Sequence, residues 1–189
     1  MTEEKDSVLV VDDDRTIRTM LVQRLIKGGI ATEQAEDGIT ALDMLKAKPF
    51  DVVVLDILMP RMNGYDVLEN IKSDSSLQRT AVIMMSTLSE MDGVIRCLEA
   101  GAEDYLPKPL DHLLLLSRVN AILLRKRFAQ LKNEYEEHVS SLLRAASAIE
   151  DGTFHPEALE EIASRPDALG QLAQEFQHIA ELVVRQSNS

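Results

Sequence analysis

Three aspartates stand side by side at Asp12, Asp13 and Asp14, directly after the aliphatic run Ser7-Val-Leu-Val-Val11. Asp56 follows the run Asp51-Val-Val-Val-Leu55, Ser86 follows Ala81-Val-Ile-Met-Met85, and Lys108 comes shortly after Asp104-Tyr-Leu106. Neighbouring carboxylates repel one another unless a cation neutralises them. Oxygen donors of this kind suit Mg²⁺, which keeps several waters and accepts one or two carboxylates plus a phosphate. A carboxylate can also be the nucleophile of phosphoryl transfer, giving an aspartyl phosphate. Such transfer needs mainly alignment and charge neutralisation. A lysine ammonium and a hydroxyl facing the phosphoryl oxygens would supply both.

The elements that must bring these residues together are legible from periodicity. The three aliphatic runs read as strands buried on both faces, and weaker strands fit Ala31–Ala35 and Asp104–Leu106. Between them lie helical spacings. Ile17, Leu21 and Leu25 end at Gly28-Gly29, and Ile39, Leu42 and Leu45 follow Gly38. Tyr65, Leu68 and Ile71 follow Gly64, and Val94, Cys97 and Leu98 precede Gly101. Asp37 and Asp66 read as helix caps. Alternation of strand and helix predicts an α/β fold: a five-stranded, doubly wound parallel sheet with helices on both faces. In such a sheet ligands sit at the carboxyl ends of the strands, where the aspartates, the serine and the lysine fall. The triplet alone leaves the register open by one. The aliphatic run must end at Val11, which makes Asp12 and Asp13 the site residues and Asp14 a solvated or helix-capping acid.

The rest of the chain narrows the function class. Its 189 residues carry 32 acids against 20 bases, a net charge of −12, which argues against nucleic acid or anionic lipid as a direct partner. The single cysteine, Cys97, makes no internal disulfide or thiolate metal cage. Met1 to Asp6 carries three acids and no apolar run, unlike a signal peptide. The longest aliphatic run, Leu113 to Leu116, is too short to span a bilayer. The expectation is a soluble, cytoplasmic protein without membrane contact.

The segments VLVVDDD (8–14), VVVLDILMPRMNGYDVL (52–68), MMST (84–87) and EDYLPKP (103–109), in this order, resemble the response-regulator receiver domain, the family of the bacterial chemotaxis response regulator. The resemblance covers residues 7–119 and implies a flavodoxin-like fold. It makes Asp56 the phospho-acceptor and Asp13 a direct ligand of Mg²⁺, with Asp12 holding a metal-bound water. Leu58 would bind the metal through its backbone carbonyl. Ser86 and Lys108 would bind the phosphoryl group, and Tyr105 would turn inward when Ser86 moves. It implies a cis bond before Pro109, and a histidine kinase or histidine phosphotransfer protein as donor. Leu58 and Leu88 stand two residues past Asp56 and Ser86, where rapidly self-dephosphorylating members carry polar side chains. A long-lived phosphoryl group is therefore expected. Thr87 stands where the family usually has Ala or Gly.

Beyond residue 110 the pattern changes. Glycine is absent from 111 to 151 and proline from 110 to 155. Leu124, Leu131, His138 and Ala145 share one heptad position, and Ala121, Phe128, Tyr135, Leu142 and Ile149 the other. This reads as a coiled-coil seam over 120–150 on a helix of about 60 Å, favouring a parallel homodimer over a helix folded back on its own domain. Gly152 would end that helix, and Asp167 would cap a later one carrying Leu169, Leu172, Phe176, Ile179 and Val183. Residues 139–186 resemble a HAMP module, carried by Asp167, Gly170, Leu172, Phe176 and Ile179; an antiparallel hairpin is the rival. The domains expected are thus a receiver at 1–119, the seam at 120–150 and the module at 139–186. No Gly-rich nucleotide loop is present, so no separate catalytic domain is expected. The functional expectation is a two-component response regulator, and the end of the chain suggests the N-terminal part of a longer one. The alternatives are a constitutive dimerisation adaptor and, more distantly, an HAD-like phosphatase.

Overall fold

Five strands pair in parallel, in the order β2-β1-β3-β4-β5: β1 (Ser7–Val11), β2 (Ala31–Ala35), β3 (Val52–Asp56), β4 (Ala81–Ser86) and β5 (Asp104–Pro107). The computed structural model describes residues 6–87, 91–151 and 153–187 of the chain. It divides into two units, Met1–Arg125 and Lys126–Ser189.

In the first unit α1 (Arg15–Lys27), α2 (Gly38–Ala47), α3 (Gly64–Ser73) and α4 (Met91–Glu99) alternate with the strands, and α5 (His112–Glu150) follows β5. The sheet is covered on both faces, which explains why its central strands show no polar alternation. Leu9, Val11, Val53, Leu55, Val82 and Met84 pack with Leu42, Leu68, Ile71 and Cys97. Val8, Val10, Val52, Val54, Ile83 and Met85 pack on the other face with Leu21, Leu25, Leu115 and Val119. The two edge strands are the ones whose sequence signal was weaker. Strand order reverses between β1 and β3, where Val11 pairs with Leu55, so residues 12 and 56 emerge side by side at the switch point.

The helix starts follow the aspartates. Asp14 caps α1 by accepting from the N–H groups of Thr16 and Ile17, and Asp66 completes a capping box with Asn63 at the start of α3. Asp37 caps α2, accepts from the Thr40 N–H at 2.8 Å and pairs with Arg61. The hydrogen bond from Thr40 holds the buried Asp37 carboxyl below its ordinary value of 3.8, against the opposing effect of burial. A depressed folded-state value means that this contribution is present above pH 3.8 and is lost as the pH falls through the folded-state value. Asp37→Ala is expected to lower the unfolding free energy by about 1–2 kcal/mol at neutral pH, with the gap to wild type closing in acid. Urea titrations at pH 7 and pH 3 check both parts.

In the second unit, the α5 residues from 126 onward pack with a 3-10 turn (Pro156–Leu159), α6 (Glu160–Ala163) and α7 (Ala168–Ser187). Leu142, Ala145, Leu159, Ile162, Leu169 and Ala173 form its core. α5 ends at Glu150; Gly152, expected to break it, lies outside the described residues. Asp167 caps α7, accepting from the N–H groups of Leu169 and Gly170. A Cβ on Gly170 would stand 2.0 Å from the Arg165 carbonyl oxygen, so this close approach admits only glycine. The heptad positions divide in character. Leu124, Phe128, Leu131 and Tyr135 are exposed, whereas Leu142 and Ala145 are buried against their own chain.

Candidate functional site

The carboxyl ends of β1, β3, β4 and β5 gather the residues singled out from sequence. Asp56 and Ser86 are the last residues of their strands rather than the first beyond them, because the ladder runs on: Ile57 N–H donates to the Met85 carbonyl at 2.9 Å. Asp12, Asp56 and Ser86 are buried, and Asp13 is exposed. Lys108 Nζ donates to Asp12 Oδ2 at 2.8 Å and lies 3.0 Å from Asp56 Oδ2. Carboxylate oxygens of Asp12, Asp13 and Asp56 all lie within 4.8 Å of one another.

Electrostatics follow from this crowding. Burial pushes the Asp56 carboxyl above its ordinary value, opposed by Lys108 and by the Leu58 backbone N–H. Burial also pulls the Lys108 ammonium down, but its hydrogen bonds to Asp12 and Asp56 outweigh that and leave it raised. The lysine is therefore charged at neutral pH. Three carboxylates facing one ammonium leave an excess of two negative charges, which one divalent cation would balance. An all-oxygen donor set that is partly exposed fits Mg²⁺, which retains waters.

The three consecutive aspartates take different positions. Asp12 and Asp13 face the site, whereas Asp14 caps a helix and turns its own N–H to Asp12 Oδ1 at 2.9 Å. The Ser86 carbonyl accepts from the Lys108 N–H at 2.8 Å and from the Tyr105 hydroxyl at 3.5 Å. Tyr105 is half-buried against the core, and burial raises its phenol. The bond between Lys108 and Pro109 is cis. Leu58 exposes its side chain, as does Thr87; Leu88 lies outside the described residues.

Two arginines escaped the sequence reading. Arg18 is buried on α1, and its guanidinium donates to the carbonyl oxygens of Asp12 at 2.6 Å and Asp13 at 3.4 Å. The available signal was its place four residues after the Asp14 cap, on the helix face that looks back at the loop. Arg61, in the loop after β3, adopts a left-handed conformation (φ 69°) and pairs with Asp37. No spacing rule pointed to that pair.

The comparisons with known proteins bear on family and fold. The family profile described as "Response regulator receiver domain" matches residues 8–120, and the chain belongs to that family. It is 40% identical over 123 residues to the "Probable transcriptional regulator ycf27" of Guillardia theta, covering 65% of this chain and 47% of that one. It is 38% identical over 120 residues to "Response regulator MprA" of Mycobacterium avium, covering 64% of this chain and 52% of that one. The chain thus spans about half the length of these curated relatives. Among solved structures, the receiver domain of the Francisella response regulator 1452 superposes with a TM-score of 0.62 at 34% identity, covering 65% of this chain and 99% of that one. Chemotaxis protein CheY4 of Vibrio cholerae superposes with a TM-score of 0.60 at 30% identity, covering 62% and 98%. Residues 8–120 are a receiver domain of two-component signalling. Among the described residues no helix is long and apolar enough to cross a membrane.

Proposed function

We propose that Asp56 accepts a phosphoryl group from the phosphohistidine of a histidine kinase or histidine phosphotransfer protein, and that the second unit relays the resulting switch. The observation that carries this reading is the buried Asp56 carboxylate bridged to Asp12 through Lys108, with Asp13 beside them. A carboxylate oxygen of Asp56 forms the O–P bond as the donor's P–N bond breaks; the imidazole nitrogen keeps the electron pair and takes up a proton. Asp12, Asp13, Asp56 and the Leu58 carbonyl would hold Mg²⁺, which supplies charge neutralisation and polarises the phosphoryl oxygens. Lys108 and the Ser86 hydroxyl donate to those oxygens. Drawing Ser86 toward them alters the hydrogen bond between its carbonyl and Tyr105, and the two conformations become unequal in energy.

The relay runs through a parallel homodimer of α5 and a HAMP-like module over 139–186, in the cytoplasm. Support for the dimer comes from the exposed apolar side chains at successive seam positions: Leu124, Phe128, Leu131 and Tyr135. Support for the module comes from Arg165, just before α7. Its guanidinium reaches Glu134 at 2.7 Å and His138 at 3.3 Å, 16 and 12 residues before the end of α5 at Glu150, and grips Asp167 through two nitrogens. The connector therefore runs back along α5 by about 20 Å. α7 then packs Leu169, Ala173 and Phe176 into the core that holds Leu142 and Ala145, a course that fits two helices running the same way. An antiparallel hairpin would start its second helix beside Glu150.

Incubation with acetyl phosphate and Mg²⁺, followed by a phosphate-affinity gel, tests the acceptor. Wild type is expected to shift and Asp56→Asn to remain unshifted; a shifted variant would remove Asp56 from the role.

A further inference from the structure

Among the described residues Arg18 is the only buried arginine or lysine, at 8% exposed. A buried guanidinium is costly unless it is fully engaged, and the usual engagement is a carboxylate. Arg18 instead spends its charge on the backbone carbonyls of Asp12 and Asp13, the two consecutive residues whose side chains face the cation site. The same loop is held from the other side. Asp12 Oδ1 accepts from the Asp14 N–H, and Asp12 Oδ2 accepts from Lys108. With both carbonyls drawn inward, the peptide planes are fixed and the two carboxylates are turned toward Asp56.

We infer that Arg18 is a positioning residue for the cation site: its guanidinium sets the Asp12–Asp13 backbone from inside the domain and so aligns the carboxylates for Mg²⁺. The inference rests on the reading of the site as Mg²⁺-dependent. It has a sign that separates it from simple electrostatics. A positive charge near a cation site repels the cation, so by charge alone removing Arg18 tightens binding. If Arg18 acts by alignment, removing it weakens binding, as loss of a group supporting a metal ligand commonly does by about 10- to 100-fold.

The test is calorimetric titration of MgCl₂ into the full chain as wild type, Arg18→Met and Arg18→Lys, with thermal unfolding run alongside. Arg18→Lys keeps the charge but replaces the single guanidinium nitrogen that donates to both carbonyls with a compact, more strongly hydrated ammonium on a different stem. Both variants are expected to bind Mg²⁺ at least about ten-fold more weakly than wild type. Tighter binding by Arg18→Met, or wild-type affinity in Arg18→Lys, overturns the inference. A lowered melting temperature with unchanged affinity overturns it too, since Arg18 would then support only the fold. Where Arg18→Met does not fold, Arg18→Lys decides alone. Wild type that binds no Mg²⁺ removes the metal-dependent reading and this inference with it. Wild type that binds, beside variants of equal affinity, removes the role of Arg18 alone.

Discussion

Replacing Gly64 with alanine is expected to destabilise the protein by about 3 kcal/mol and to slow phosphorylation of Asp56. α3 begins at Gly64 directly against the end of β3, where the Gly64 N–H donates to the Ile57 carbonyl at 2.9 Å. A Cβ at this position would stand 2.3 Å from the Asp56 carbonyl oxygen and 2.8 Å from the Ile57 Cα. Both are backbone atoms, so no side-chain rotation relieves the overlap. Either α3 retreats from the sheet, opening space beside Val67, Leu68 and Ile71, or the strand end moves and carries Asp56 away from Lys108. Urea unfolding measures the first consequence, and the rate of loading from acetyl phosphate the second. A variant with wild-type stability and loading rate would mean that the close approach of α3 to β3 is not needed.

Lys108→Met carries the next largest effect. The ammonium stands between two buried carboxylates, and removing one partner of a buried charge cluster costs about 3 kcal/mol or more because the remaining charges are left uncompensated. The loss is expected to depend on two conditions. Mg²⁺ takes over part of the neutralisation, so it should stabilise the variant more than wild type. Acid should also help. Asp56 is already above its ordinary value through burial, and without Lys108 it rises further. A group raised in the folded state destabilises as the pH climbs from its unfolded value through its folded one, so the gap to wild type is widest at neutral pH and narrows toward pH 4. Urea titrations at pH 7.5 and pH 5, with and without Mg²⁺, check this. A loss below about 1 kcal/mol that neither Mg²⁺ nor pH alters contradicts the charge account.

Much of the first unit was legible in the sequence because its physics is local and periodic. Val8 to Val11 and Val52 to Leu55 are aliphatic without interruption because both faces of the sheet are covered, and that pattern alone identifies them as strands. The same run ends at Val11, so the place of Asp12 and Asp13 just past the strand, beside Asp56, and of Asp14 at the start of α1 followed from it. Strand ends were less accessible. Hydrogen bonding, which hydrophobicity does not report, carries β3 and β4 one residue further, through Asp56 and Ser86. Arg18 was passed over, despite its place four residues after the Asp14 cap, because an arginine on a helix ordinarily extends into water, whereas here it is buried against the Asp12 and Asp13 carbonyls.

The second unit shows a different limit. The heptad pattern is the same at Phe128 and Leu131 as at Leu142 and Ala145, but the first pair is exposed and the second is covered by the chain's own α7 and connector. Periodicity names the apolar face of a helix without naming what covers it. The Arg165 contacts that fix the course of the connector join residues 31 and 27 positions apart, beyond any spacing rule.

The central claim is that the phosphoryl group enters on Asp56 in a cation-dependent step. Borohydride reduction converts an aspartyl phosphate to homoserine, so peptide mass mapping after acetyl phosphate treatment locates the acceptor directly. The expected result is homoserine at position 56 when Mg²⁺ is present and none when it is chelated. Homoserine at Asp12 or Asp13, or at position 56 regardless of Mg²⁺, would contradict the account.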